Sequence, residues 1–458
     1  MAPEAGGGTL RVKFAILLVG TLLLTAYPLG AQGIGGIGGF GGPSILGRGG
    51  RKGQRQSDGL RIRPYVGVNA IHDSGLTSIQ PGNTGIFTRG ASGIEVLGGV
   101  YGTKEWKRDQ VQISYSGDYR AYNAVTGFNG TDQSLALSYS RLLTKRVSLE
   151  GSVSAGTTNR AFGGISQFNN SNGISVDGLP TMALFDTRMN YGGANGTLSY
   201  NLSSRTSLTF SGGGYFVKRS NAALFGVTGI QARADVARRI NKSISIGVDY
   251  SFSTFQFSRA FGDTYLHGVS AYIAKKIGRQ WELNLRGGVI RVETLGQREV
   301  TIDPAIAAII GVPTGLEVLY QVNTLGSGAF SLTRAARSGT VSFVASRTVI
   351  PGNGLILTSQ MDSISVGYNR RLSRTINFDA LGGFVRLRGL GLITGTFEMI
   401  NVGAGVGWQV ARYTQITARV DRRNSATQGA ASQAFNLNGT RFSVGFIFTP
   451  SDIPVSLW

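Results

Sequence analysis

Apolar and polar residues alternate along most of the chain from Leu60 onward. In the segment 243–253, one face carries Ile244, Ile246, Val248, Tyr250 and Phe252, and the other carries Ser, Gly and Asp. Arg441–Phe448 and the residues from Val111 repeat the pattern. A period of two over about ten residues predicts a β-strand with one apolar and one wet face.

Short polar turns separate these strands, and several turns resemble one another. Arg205, Lys242 and Arg279 occupy the same place in successive turns and stand 37 residues apart, so the repeat unit is a hairpin. Two hairpins carry insertions, at 159–190 and 294–319. The alternating segments predict eighteen strands, within a range of 16–20, centred near residues 65, 98, 115, 137, 151, 197, 212, 234, 248, 270, 286, 329, 343, 366, 381, 404, 418 and 443.

A sheet with one apolar face needs a cover, and the sequence offers none. No amphipathic helix pattern of useful length appears, so the apolar face is expected to lie in lipid. In lipid every backbone group must be paired, and the sheet must therefore close. The sequence predicts an all-β fold, a transmembrane antiparallel up-and-down β-barrel over residues 59–450. A soluble sandwich with ordinary cross-strand aromatic packing is the alternative.

The composition narrows the chemistry. The chain has no Cys, which excludes disulfides, thiol catalysis and zinc–thiolate sites. A net charge of +21 would suggest nucleic acid, but the basic excess falls in the short turns, where no stacking platform or groove exists. A basic rim fits contact with anionic outer-membrane lipid instead. We expect no nucleic-acid partner.

The two ends of the chain lie outside the predicted barrel. Arg11 and Lys13 precede the apolar run 14–27, and a small residue, Ala31, follows, which predicts a signal peptide over residues 1–31. A retained membrane anchor is the alternative. Residues 32–58 are a Gly-rich, then basic, linker expected in the periplasm, and 451–458 form a C-terminal tail.

The parity of each strand predicts which charged residues face the lumen. There are seven bases and seven acids, a balance that argues against strong anion selectivity: Arg61, Arg63, Asp118, Arg120, Glu150, Arg233, Asp235, Asp249, Glu282, Arg286, Asp379, Arg419, Asp421 and Arg441. Aromatic residues on the apolar face near the short turns predict an interfacial girdle, made of Tyr139, Tyr200, Trp281, Tyr368 and Trp408.

With these features the chain resembles the outer-membrane β-barrel proteins of Gram-negative bacteria, and porin-like members in particular, over about residues 60–450. Arg441–Phe448 is similar to the aromatic-alternating last strand that the barrel-assembly machinery recognises. The chain continues past Phe448, so either Phe448 or Trp458 is the residue to be recognised. The resemblance implies an outer-membrane location and transport of small solutes.

Three functions follow, in order of preference. The first is a pore for small polar solutes, in which the 294–319 insertion either narrows the lumen or packs as a surface loop. The second is a structural or adhesive barrel without an open channel. The third is a hydrolase using His72 or His267, but no partner set at a fixed spacing accompanies either residue, and we expect no enzyme. Neither cofactor nor metal site is indicated, and a homo-oligomer is left open.

Overall fold

The computed structural model describes residues 60–79, 86–123, 126–159, 187–258, 260, 262–336, 338–390, 395–428, 435–450 and 453–455. The expected signal peptide (1–31) and linker (32–58) lie outside the described residues, as does most of the insertion at 159–190.

Eighteen antiparallel strands form one closed ring, which confirms the predicted fold and strand count. Each strand pairs with the next, and the last strand pairs back onto the first, from Val66↔Phe448 to Asp73↔Arg441. The strands are Leu60–Ile79 (β1), Ile86–Glu105 (β2), Asp109–Tyr122 (β3), Gly130–Leu142 (β4), Val147–Thr158 (β5), Met189–Asn201 (β6), Thr206–Arg219 (β7), Val227–Arg239 (β8), Ile244–Phe257 (β9), Asp263–Ile277 (β10), Trp281–Thr301 (β11), Thr314–Ala336 (β12), Gly339–Ile350 (β13), Ser359–Arg371 (β14), Ile376–Gly389 (β15), Thr396–Ala411 (β16), Thr414–Gln428 (β17) and Phe435–Phe448 (β18).

The apolar face of every strand continues onto its neighbours and forms one exposed band. Tyr250 of β9 pairs with Val269 of β10, which pairs with Val289 of β11. These three side chains are 45% to 54% exposed. Residues directly opposite in an antiparallel pair lie on the same face, so the apolar parity passes from strand to strand around the ring. Such a band is stable when lipid covers it.

The other face of each strand points into the ring. Asp249, Ser270 and Asn284 alternate with the exposed apolar residues, and all three are buried. Among the described residues, the strands form a single layer with no second sheet or helical layer packed outside. Side chains nearly excluded from solvent must therefore lie inside the barrel.

The two ends of the barrel differ. The connections from β2 to β3, β4 to β5 and onward to β16–β17 are short turns, and β1 begins and β18 ends on that same side. We call this side the inner end, because a bacterial barrel has its short turns in the periplasm. After Phe448 the chain forms a further short strand, Ile453–Val455 (β19), which pairs with Leu60–Ile62. Part of the expected C-terminal tail thus extends the sheet below the wall.

The insertion at 294–319 is mostly strand. β11 and β12 pair from Trp281↔Arg334 as far as Thr301↔Thr314, whereas β10 pairs with β11 only up to Thr294. The excess is a two-stranded ribbon with a helix, Pro304–Ile310 (α1), at its tip. Ile309 is 85% exposed and Leu316 is 71% exposed, so the ribbon stands out from the wall. In the described residues, no helix is long and apolar enough to span a bilayer.

Candidate functional site

The inner wall carries the charged residues that strand parity predicts. Asp118, Arg233 and Arg286 lie opposite Asp132, Ser211 and Tyr272, on the face turned away from the apolar band. Arg63 and Glu150 are on the same face near the inner end and are exposed there. The backbone of Arg61 pairs with Thr103, and its side chain is outside the described part of the molecule. The other predicted lumen residues share this inner face: Arg120, Asp235, Asp249, Glu282, Asp379, Arg419, Asp421 and Arg441.

One cluster of ion pairs spans β8 to β11. Asp249 is buried and contacts Arg286, and it lies 3.4 Å from the Arg233 guanidinium. Asp235 accepts a hydrogen bond of 3.0 Å from the Tyr272 hydroxyl. The two acids face each other directly across β8 and β9, and the arginines beside them offset the repulsion between the two carboxylates.

A second cluster joins the first and last strands of the ring. Arg441 of β18 donates a 2.8 Å hydrogen bond to Glu95 of β2, which also accepts one of 3.0 Å from Asn69 of β1. The Tyr122 hydroxyl donates to Asp73 beside them. Apart from Arg441, these residues were not predicted as lumen residues. Strand parity could have identified them from the sequence, since Glu95 lies between the outward-facing Ile94 and Val96.

Next to it, Arg120 of β3 ties three strands together. Its guanidinium lies 3.4 Å from Asp118 and 3.0 Å from Asp132 of β4, and it also donates to Asn159 after β5. Arg120 is nearly inaccessible to solvent. A buried guanidinium needs this number of acceptors, because an uncompensated buried charge is strongly destabilising.

The last cluster lies flat on β15 to β17. Arg419 lies 2.6 Å from Asp379 and 2.8 Å from Asp421. Two glycines of β16 make room for it: a Cβ at Gly403 would collide with the Asp421 carboxylate, and one at Gly405 would come within 2.7 Å of Asp379. The glycines of this strand therefore permit the ion pair to lie against the backbone.

The charges on the wall are thus matched locally. Asp118, Asp249, Asp379 and Asp421 each lie within 4 Å of a base on their own strand or on a strand close by. Such pairing is possible because cross-strand neighbours on one face are only about 5 Å apart.

The connection between β13 and β14, residues 351–358, enters the outer half of the lumen, and we call it the in-folded segment. All but two of its residues are buried. The Gly354 carbonyl accepts a hydrogen bond of 2.9 Å from Phe225 N, beyond β7. Thr358 bonds to Thr264 of β10 through their hydroxyls at 2.8 Å. The segment therefore leaves the wall and bonds to strands several places around the ring.

A tight turn shapes this segment. The side chain of Asn353 is fully buried and accepts hydrogen bonds from the backbone of Leu355 at 3.1 Å and of Ile356 at 2.9 Å. Gly352 and Gly354 flank it with φ values of 75° and 89°. Left-handed backbone on both sides of a buried Asn suits glycine and excludes residues with a Cβ.

Apolar side chains pack around the in-folded segment. Ile356 packs in a buried cluster drawn from strands β14 to β18 and the β7–β8 connection, which includes Leu224, Met361, Leu387, Phe397, Met399 and Leu437. A second inward cluster on β6 to β11 includes Met189, Val217, Phe255, Leu266 and Val292. The outer half of the lumen is therefore packed, with these apolar clusters beside the buried ion pairs of Arg120 and Arg441.

The predicted girdle residues lie near the inner end. Tyr139, Tyr200 and Trp408 are exposed on the outward face. Trp281 lies under the Arg334 guanidinium at 5.4 Å, and Tyr368 packs against a neighbouring Phe ring. Amphipathic rings in such positions are typical of a membrane interface.

Both histidines lie on outward faces. His72 Nδ1 is 2.8 Å from the Ser92 hydroxyl, and His267 Nδ1 is 2.8 Å from the Tyr250 hydroxyl. Within the described part of the chain, neither ring lies within hydrogen-bonding distance of an acidic side chain. The residues the structure describes hold no group of three or more His, Cys, Asp or Glu side chains that could bind a metal.

Comparisons with known proteins give structural likeness alone. No protein-family model and no curated protein matches the sequence. Among solved structures, Pseudomonas aeruginosa OccK9 (OpdG) is 12% identical with a TM-score of 0.42, over 85% of this chain and 98% of that one. Pseudomonas aeruginosa OccK2 (OpdF) in complex with glucuronate is 11% identical with a TM-score of 0.41, over 86% and 100%. The ferric-catecholate import receptor Fiu from E. coli K12 is 9% identical with a TM-score of 0.40, over 84% and 81%.

The closed ring, the outward apolar band and the polar inner wall define the class of protein from this chain's own features. It is a transmembrane β-barrel of the bacterial outer membrane. Within that class it has eighteen strands and an in-folded segment packed in the outer half of its lumen.

Proposed function

We propose that this barrel is an outer-membrane pore for small polar solutes and that the in-folded segment closes it at rest. A ring of sixteen to eighteen strands is wider than its own side chains can fill, so it leaves room for an aqueous channel. In this chain the outer half of that room is occupied by a connection between strands rather than by the wall. Displacing the connection would open the channel and leave the ring intact.

The observation on which this proposal rests is the polar, charge-matched wall toward the inner end. Arg233, Asp379 and Arg419 are partly exposed and would line the passage. At the inner mouth a cavity of about 320 Å³ is lined by polar groups that include Arg63, Arg412 and Gln415. A wall with locally paired charges favours polar solutes and gives only weak preference between anions and cations.

A second candidate is a structural or adhesive barrel that never conducts. The buried in-folded segment favours it, because Asn353 and Ile356 have the burial of core residues. In that case the segment would be a permanent part of the core. The two candidates differ in one respect: only a pore has a conducting state.

Conductance in planar bilayers separates the two, and the chain offers a matched pair of variants. In the first, residues 351–358 are replaced by Asn-Gly, a two-residue hairpin turn that can join Ile350 to Ser359. In the second, residues 302–313 of the protruding ribbon are replaced in the same way, joining Thr301 to Thr314. The proposal expects a several-fold larger unitary conductance from the first variant and no change from the second.

The wild-type protein should open in rare, discrete steps. A wild-type barrel that never conducts, together with a first variant that conducts, would favour the structural barrel. A folded first variant without conductance would overturn the pore proposal.

We also propose the route by which the chain reaches the membrane. The segment 1–31 would direct export, and 32–58 would remain in the periplasm as a linker. Phe448 ends β18 with its ring outward and exposed, which supports its recognition by the barrel-assembly machinery. Replacing Phe448 by Ala should slow assembly more than removing Trp458; the reverse order would assign the signal to Trp458.

A further inference from the structure

We propose that the short turns at the inner end form a repeated binding surface for anionic phospholipid head groups of the inner leaflet. This inference is independent of the pore. It rests on five turns that share one pattern, an aliphatic residue, a turn-forming residue and then a base. The turns are 143–146, 202–205, 240–242, 277–279 and 372–374.

The turn-forming residue has the same role in four of the five turns. The Thr144 hydroxyl accepts hydrogen bonds from the backbone N–H groups two and three residues further on, at 3.1 and 3.0 Å. Ser203 and Ser373 do the same at 3.1 and 3.0 Å. Asn241 does so at 2.8 and 2.8 Å. The fifth turn uses Gly278 with φ of 64°. These bonds fix the residues on either side in a single orientation.

The residue before each turn is an exposed aliphatic. Leu143, Leu202, Ile240, Ile277 and Leu372 are between 43% and 57% exposed, although each is large and apolar. Five exposed aliphatics at equivalent positions require a common cover. Acyl chains at the edge of the bilayer would provide it.

The residue after each turn is an exposed base. Lys145, Arg205, Lys242, Arg279 and Arg374 occupy these positions, and none of the five turns contains an acid. An apolar contact and a cation only two or three residues apart match the two halves of an anionic phospholipid. The girdle residues Tyr139 and Tyr200 lie within a few residues of the first two turns and mark the same depth.

The turns are short, and this favours lipid as their ligand over a polysaccharide or other polyanion that lies deeper in the periplasm. Turns of three or four residues cannot carry a charge far beyond the end of the wall, so the bases remain at the level of the head groups. The exposed aliphatics would gain nothing from a hydrated polysaccharide.

The densest part of the surface lies between β6 and β11. Three neighbouring hairpins there present six exposed bases, Arg205, Arg238, Lys242, Lys275, Lys276 and Arg279. Arg239 donates to the Ser204 carbonyl at 3.0 Å and so links two of these turns. We expect the most persistent lipid at this position.

The test compares two fivefold variants of the full mature chain. The inner variant is K145Q/R205Q/K242Q/R279Q/R374Q. The control variant removes five exposed bases at the outer end, R89Q/R188Q/K218Q/R388Q/R422Q. Each is reconstituted in vesicles of phosphatidylethanolamine with phosphatidylglycerol. The relative association of spin-labelled phosphatidylglycerol and phosphatidylcholine is then measured by electron paramagnetic resonance.

The wild type should prefer phosphatidylglycerol by about fivefold, the preference given by one base near each head group. The inner variant should lose this preference, and the control variant should keep it. An unchanged preference in the inner variant, or an equal loss in both variants, would overturn the proposal. If the inner variant keeps its lipid preference and no longer co-sediments with purified peptidoglycan, the bases bind a polysaccharide and the proposal is overturned. Unitary conductance, measured on the same samples, reports on the pore separately.

Discussion

At the scale of single residues, the geometry around Arg419 shows how the wall tolerates charge. The guanidinium bridges Asp379 and Asp421 while lying against the glycines of β16. Each carboxylate is held by a charge-assisted bond to the same guanidinium. The ion pair and the glycines therefore form one structural unit.

Gly403→Ala should destabilise the barrel by about 1–3 kcal/mol, because its new Cβ would push the Asp421 carboxylate out of place. Gly287→Ala is the control, since a Cβ there meets nothing within 4 Å, and it should change stability by less than about 0.5 kcal/mol. Urea unfolding in lipid vesicles measures both. Equal unfolding free energies in the two variants would contradict this account of the glycine.

The two histidines are the remaining residues that could take part in catalysis. Each makes one hydrogen bond to a hydroxyl on the outward face. His72→Ala and His267→Ala should therefore leave phospholipid and peptide hydrolysis at the background level of the wild type. A hydrolytic activity of the wild type that disappears in either variant would show that the barrel is an enzyme.

Parity predicted which residues face inward but not which residues bond. The partner of a charge depends on strand register, which aligns Asp235 with Asp249 and brings Arg441 of the last strand beside Glu95 of the second. Register is set by the whole ring, so it cannot be predicted from the sequence of a single strand.

At the scale of elements, the strands were predictable because lipid imposes the same alternation on each. Their lengths were less so. β11 and β12 extend beyond the wall as a paired ribbon, and these extra residues are the insertion that the sequence indicated at 294–319. The sequence left open whether that insertion narrows the lumen. The connection that enters the lumen, 351–358, has the sequence of an ordinary Gly- and Pro-containing turn, and its burial comes from partners on distant strands.

Asn353→Ala should loosen the in-folded segment, since it removes two hydrogen bonds from a fully buried turn at a cost of about 1–3 kcal/mol. We expect more frequent channel openings, recorded in planar bilayers. Asn241→Ala removes the same pair of bonds from an exposed turn at the inner end and serves as the control. If both variants open as rarely as the wild type, Asn353 does not hold the segment in the lumen.

At the scale of the whole molecule, the barrel has three environments at three heights. The outer half of its interior holds apolar clusters together with the buried ion pairs of Arg120 and Arg441, the wall below it carries partly exposed charges, and the inner rim is basic. The outward face is apolar in its central band, and toward the outer end it carries ion pairs such as Arg347–Asp362 and Arg386–Glu398. Each of these properties depends on closure, because an open sheet would expose an unpaired edge to lipid.

The dependence on lipid is tested most directly by the state of the purified mature chain. In detergent, the unheated protein should migrate on a gel as a compact form that shifts after heating. Without detergent it should aggregate, since nothing in the described chain covers the band that includes Val269 and Val289. A monodisperse particle in aqueous buffer, with no shift on heating, would contradict the membrane-barrel account.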